Sequence, residues 1–168
     1  MILQDIEQGH GVAVLDPHGD LIERLLCLIP ERHVERTIYL NPGDPDWVPL
    51  WNPLERIAGQ DTGRAANNVV KAIKSFVASG GGGDRLENIL RNLVYALFHL
   101  PQGTFLDLSN LLRNKSKESQ KMSREILKVI DNETARQFWL HDYNAYGKNE
   151  LGPPKNKLSK LMLSDTVA

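Results

Sequence analysis

The chain has 168 residues, 41% hydrophobic and 24% charged, with a formal net charge of −1. That balance fits about one globular domain with room for a core, and no apolar stretch approaches the ~20 residues that span a bilayer. The one cysteine, Cys27, excludes an intrachain disulfide and a cysteine-based zinc site. In the run Leu25-Leu26-Cys27-Leu28-Ile29 it reads as a small buried hydrophobe.

Residues 1–8 read as the last turns of a helix, stopped by Gly9 and Gly11. A chain that opens on the end of an element is expected to continue from something earlier. Met1-Ile2-Leu3-Gln4-Asp5 has neither a basic start nor a long apolar core, so no signal peptide is expected and the cytoplasm is the expected compartment. Gly11-Val12-Ala13-Val14-Leu15-Asp16 is an apolar run ending in a carboxylate, the pattern of a strand covered on both faces. Pro17 stops it. Asp20 is placed to cap a helix with Leu21, Leu25, Leu26 and Ile29 on its apolar face, and Pro30 ends that helix. Thr37-Ile38-Tyr39-Leu40 reads as a second strand. Strand, helix and strand make a βαβ unit, which is not a stable sheet without neighbouring strands.

Residues 41–54 hold Pro42, Pro45, Pro49 and Pro53 with Trp47 and Trp51 between them. Two indoles predict an ordered loop that buries them. Helical patterns follow at 64–78, with Val69, Val70, Ile73, Phe76 and Val77 on one face, and then from Asp84. The second carries Leu86, Ile89, Leu90, Leu93, Val94 and Leu97, with Asp84 and Glu87 as a capping-box-like pair. Shorter helices are predicted at 106–113, 118–131, 133–145 and 155–164. The expected fold class is an α/β fragment followed by a mostly α module. One βαβ unit of a P-loop (RecA-like) sheet occupies 1–54, and an all-helical insert domain occupies 55–168.

The densest chemical cluster is the turn Asp16-Pro17-His18-Gly19-Asp20, at the carboxyl end of the first predicted strand, where open α/β sheets bind ligands. It has a purely structural reading, in which Gly19 relieves the turn and Asp20 caps. It also has a metal reading. Strand-Asp-x-His begins metallophosphoesterases, and Asp16 with His18 would supply ligands for a two-metal, water-activating site. Gly43-Asp44-Pro45-Asp46 has the wrong spacing for the next ligand motif, and a Gly-Asn-His string is absent.

The string Gly11-Val-Ala-Val-Leu-Asp-Pro-His-Gly-Asp-Leu21 resembles a segment of HerA/FtsK-type P-loop motor ATPases. It is especially similar to the conjugative coupling proteins of type IV secretion (TraD/TraG-like). Ile29-Pro30, Thr37-Ile38-Tyr39-Leu40-Asn41-Pro42, Trp51-Asn52-Pro53-Leu54 and Asp84-Arg85-Leu86-Glu87-Asn88 continue the resemblance in order. Gly103-Thr104-Phe105-Leu106-Asp107-Leu108 and Phe138-Trp139 follow, so it covers nearly the whole chain. It implies a DNA-translocating ATPase, hexameric and often anchored at the bacterial inner membrane. It also implies a Walker A loop before Met1 and a Walker B strand after Ala168. With neither in the 168 residues, the chain is expected not to hydrolyse ATP alone or to bind it tightly. ATP and Mg2+ would belong to the complete parent protein. There Asp16 would sit near the nucleotide as the catalytic and cofactor-binding carboxylate, with His18 and Asp20 lining the same site.

The resemblance also places an all-helical domain at the DNA entrance, facing DNA and relaxosome or secretion-channel proteins. The charge distribution agrees. Residues 1–112 hold 9 Lys and Arg against 14 Asp and Glu, whereas residues 113–160 hold 11 against 6. Within 113–128, Arg113, Lys115, Lys117, Lys121 and Arg124 are placed to contact phosphates without reading sequence. A solvated helix face is the alternative. Lys155, Lys157 and Lys160 form a weaker cluster. Phe138-Trp139 fits base stacking, and fits helix packing better because Leu140 and Tyr143 share its pattern. Two further function classes stay open: a non-catalytic DNA- or protein-interaction module, and the metal-dependent phosphoesterase.

Overall fold

The computed structural model describes residues 1–44, 46–47, 52–76 and 83–162, apart from the side chains of Phe76 and Leu161. The chain divides into two units, Met1–Pro49 and Leu50–Ala168.

The first unit holds three short helices: α1 (Ile2–Glu7), α2 (Asp20–Leu26) and α3 (Glu31–Val34). None of them buries a residue. The strands predicted at 11–16 and 37–40 are not formed, and every regular element among the described residues is helical. The expected βαβ unit of a P-loop sheet is therefore corrected to helices alone among the described residues. The reason is physical. A doubly covered strand needs hydrogen-bonding neighbours along its edges and apolar layers on both faces. Here Leu15 is 96% exposed and Ile38 86%. Apolar patterning states what a segment would bury, not that a partner exists. Trp47 is likewise exposed, against the expectation of a buried indole, and Trp51 lies outside the described residues.

The second unit contains the core. Its helices are α4 (Thr62–Phe76), α5 (Asp84–Leu97), α6 (Phe105–Leu111), α7 (Lys117–Val129), α8 (Glu133–Gln137) and α9 (Lys148–Met162). A π turn over Phe138–Asp142 extends α8. Helix α5 is central and packs against α4, α6 and α9. It buries Leu86, Ile89, Leu90, Leu93, Val94 and Leu97, every position its periodicity selects. Each such side chain contributes about 1.5–3 kcal/mol of transfer free energy. The expected Asp84–Glu87 capping pair is not made: Gly83 is the N-cap, and Glu87 pairs with Lys74 and Arg91 instead. Of the face predicted for α4, Val70 and Ile73 are buried and Val69 packs on the core, whereas Val77 lies outside the described residues.

Between α5 and α6 the chain turns sharply. A Cβ at Gly103 would lie 2.5 Å from the Leu97 carbonyl oxygen, so only glycine allows this approach. The Gly103 carbonyl accepts from Asn52 Nδ2 at 2.8 Å, which ties the segment leading to buried Leu54 into this unit. Thr104 and Asp107 then form a reciprocal capping box that starts α6.

Helix α9 begins at Lys148, seven residues before its predicted start at 155. Glu150 Oε2 accepts the Gly147 N–H at 2.9 Å and sets this first turn. Pro153 and Pro154 inside the helix donate nothing to the carbonyls of Asn149 and Glu150, which is why the pattern reads as broken there.

No described residue before Leu54 is buried. Deleting residues 1–49 is therefore expected to leave the main unfolding transition within about 0.5 kcal/mol of the full chain. Urea denaturation followed by circular dichroism checks this; a loss of several kcal/mol would contradict it.

Candidate nucleic-acid interface

The acidic turn folds on itself. Asp16 Oδ1 accepts the His18 N–H at 3.1 Å, and Oδ2 accepts the N–H groups of Leu21 at 2.9 Å and Ile22 at 3.3 Å. The His18 hydrogen bond, with those from Ile22, Leu21 and Gly19, holds the Asp16 carboxyl below its usual value against a smaller opposing effect of burial. Asp16, not Asp20, thus caps α2, across a left-handed Gly19 at φ 88°. Asp20 is exposed and makes no side-chain cap, and His18 is exposed. Among the described residues, no group of three His, Cys, Asp or Glu side chains is gathered to hold a metal ion. No chemical step is assigned to these residues.

The basic segment is arranged differently. Ser116 caps α7 by accepting the Ser119 N–H at 3.1 Å and starts the helix. Ser119, Ser123 and Ile126 are buried at spacings of four and three. Lys117, Lys121, Arg124 and Lys128 repeat at four, three and four on the opposite, exposed face. The stripe runs about 16 Å along the axis at ~1.5 Å per residue. Lys128 is paired with Glu125 at 3.0 Å. Among the described residues, Arg113, Lys117, Lys121 and Arg124 make no ion pair.

The head of the stripe is clamped to the rest of the unit. Asn114 is only 5% exposed, and its amide donates to the carbonyls of Tyr143 at 2.8 Å and Tyr146 at 2.9 Å. Lys115 Nζ donates to the Asn144 carbonyl at 2.5 Å. Gln120 closes the clamp by donating to the Asn114 carbonyl and to Asn144 Oδ1. The walls so joined, residues 112–116 and 146–156, enclose an open concavity of about 590 Å³. Arg113, Lys115, Lys148 and Lys155 line it, and among the described residues no carboxylate side chain does.

Beneath the clamp, Tyr143 is fully buried. Its hydroxyl donates to the Leu111 carbonyl at 2.7 Å and is hydrogen-bonded to Ser119 Oγ. Burial pushes the phenol up to about 12, and the Ser119 hydrogen bond pulls weakly the other way. An unfolded tyrosine titrates near ~10. Between those pH values the folded state binds more protons than the unfolded one, so stability falls as pH rises. The contribution of Tyr143 is expected to be constant below pH ~10 and to fall by about 2–3 kcal/mol towards pH ~12. Denaturant titrations across that range check this, with Tyr143→Phe expected to lack the dependence.

The structure brings the predicted cations Arg113 and Lys115 to one concavity and Lys117, Lys121 and Arg124 to one helix face. It does not expose Phe138-Trp139. Both are buried, edge to face at 5.6 Å, with Trp139 4.4 Å from Tyr143. The π turn, in which the Tyr143 N–H donates to the Phe138 carbonyl at 2.9 Å, gathers these rings into the core. Lys148 and Asn114 escape the sequence reading. The Gly147-x-x-Glu150 helix start is the signal that places Lys148; nothing local in the sequence marks Asn114. Among the described residues, no helix is long and apolar enough to cross a membrane. No protein-family model, no curated protein and no solved structure matches the chain.

Proposed function

We propose that the helical unit is a nucleic-acid-facing module that holds the phosphate backbone without reading sequence. The observation that carries this is the stripe Lys117, Lys121 and Arg124 on the exposed face of α7, which makes no ion pair among the described residues, with Arg113 and Lys115 at its head. Phosphate neutralisation by such cations supplies affinity and no base preference. The similarity to coupling proteins gives the module a setting. The chain is then part of a DNA-translocating ATPase of conjugative type IV secretion, hexameric and in contact with relaxosome or secretion-channel proteins. Hydrolysis of ATP with Mg2+ belongs to segments other than these 168 residues, and the chain alone is expected to be inactive. Asp16 contributes to this proposal only as the residue that shapes the turn at α2.

A second reading, a protein-interaction module without chemistry, is favoured by one observation. Leu15, Ile38, Leu40 and Trp47 of the first unit are largely exposed. Such side chains gain free energy when a partner removes them from water. Fluorescence anisotropy with a labelled duplex separates the two. Saturable binding that is indifferent to sequence and weakened by reversing the α7 charges supports the first. Absence of binding at low salt leaves only the second.

A further inference from the structure

We propose that the concavity between the α6–α7 turn and the start of α9 is a binding site for a dianionic phosphate group, which shares Arg113 and Lys115 with the head of the α7 stripe and adds Lys148 and Lys155. Its cation density is the first reason. One phosphodiester carries a single charge, and the spaced cations of α7 suit a row of them. Arg113, Lys115, Lys148 and Lys155 instead line one depression, with no carboxylate side chain in its lining among the described residues. A phosphate monoester or a diphosphate brings about two charges and three strong acceptor oxygens to such a place.

The donors are also suited to it. The Arg113 guanidinium offers a fork that matches two phosphate oxygens. Lys115 spends one hydrogen on the Asn144 carbonyl and keeps two to donate inward. Helix α9 is 15 residues long and presents its first turn here, where backbone N–H groups lack intrahelical acceptors. The one carboxylate of that turn, Glu150, is occupied by the Gly147 N–H and lies 3.7 Å from Arg85. It does not line the concavity. The walls are held together before any ligand arrives, because Asn114 bridges them through two hydrogen bonds. The volume of about 590 Å³ is within the range of small-ligand sites.

The phosphate could come from a free compound or from the end of a nucleic-acid strand lying along α7. Calorimetric titration of the full chain at ~0.15 M salt, where surface charges are screened beyond ~8 Å, tests both. The titrants are inorganic pyrophosphate, a 5′-phosphorylated oligonucleotide and its 5′-hydroxyl counterpart. Pyrophosphate is expected to bind one per chain. Lys148→Gln with Lys155→Gln should weaken it roughly ten-fold or more, and Lys148→Arg with Lys155→Arg should restore it. Lys117→Gln with Lys121→Gln should change it less than about two-fold. Tighter binding of the 5′-phosphorylated strand, lost in the Gln pair, names a strand end as the source. Equal binding of both strands alongside pyrophosphate names a free compound. No saturable pyrophosphate binding, or equal weakening by both Gln pairs, overturns the site. A chain that binds pyrophosphate but no oligonucleotide keeps this site and loses the nucleic-acid reading of α7. The reverse pattern loses this site alone.

Discussion

Asn114→Ala is expected to lower the unfolding free energy by about 3 kcal/mol, since each buried carbonyl left without a donor costs about 1–3 kcal/mol. Two carbonyls lose their donor at once, those of Tyr143 and Tyr146. Tyr143 is fully buried, so water does not easily replace the amide there. Tyr146 is half-buried and recovers part of its loss from solvent, which keeps the sum below twice the maximum. Asn114→Asp should cost at least as much, because a carboxylate would face two carbonyl oxygens with nothing to donate. Urea denaturation gives the value directly. A loss under about 0.5 kcal/mol, the range of ordinary surface changes, would show that the clamp does not hold the two turns together. The clamp matters beyond stability. Residues 113–115 and 146–148 keep their mutual position through it, and the cations at the head of α7 are presented by it.

The second large effect is on binding. Reversing three charges, as Lys117→Glu, Lys121→Glu and Arg124→Glu, is expected to weaken duplex binding at least ~100-fold at low salt, since three phosphate contacts become three repulsions. The variant should remain folded. All three side chains are exposed and make no ion pair among the described residues, and the buried face of α7 is untouched. Reversal of Glu118 and Glu125 to lysine on the same helix should strengthen binding, which separates a charge effect from damage to the helix. Equal affinity of the triple variant and the wild type would remove α7 from the interface.

The sequence was most legible where one helix is surrounded by its own unit. Helix α5 buries all six positions that its spacing selects, because α4, α6 and α9 of the same unit pack around it and cover them. It was least legible where the pattern assumed partners. The runs at 11–16 and 37–40 have the composition of doubly covered strands, yet nothing among the described residues pairs with them. Composition reports a segment's demand for burial and is silent on supply. The acidic turn shows a related limit. Its residues were visible as a cluster, but the carboxylate that caps α2 is Asp16, which reaches forward to Leu21 and Ile22, and not the adjacent Asp20. The basic segment was visible as a run of charge. Its order as a single stripe follows from the spacing of four and three among Lys117, Lys121 and Arg124 once the segment is helical, and Ser116 starts that helix. The link from Asn114 to Tyr143 and Tyr146 crosses 29 and 32 residues, and no local pattern encodes it.

The most direct test of the α7 interface is the salt dependence of duplex binding. Each phosphate neutralised contributes about −0.9 to the slope of log K against log salt. If Arg113, Lys115, Lys117, Lys121 and Arg124 all engage phosphates, the wild-type slope should be about −4.5, and neutralising Lys117, Lys121 and Arg124 to glutamine should bring it to about −2. A slope near zero in the wild type, or one unchanged by the three substitutions, would contradict the assignment of this face to nucleic acid.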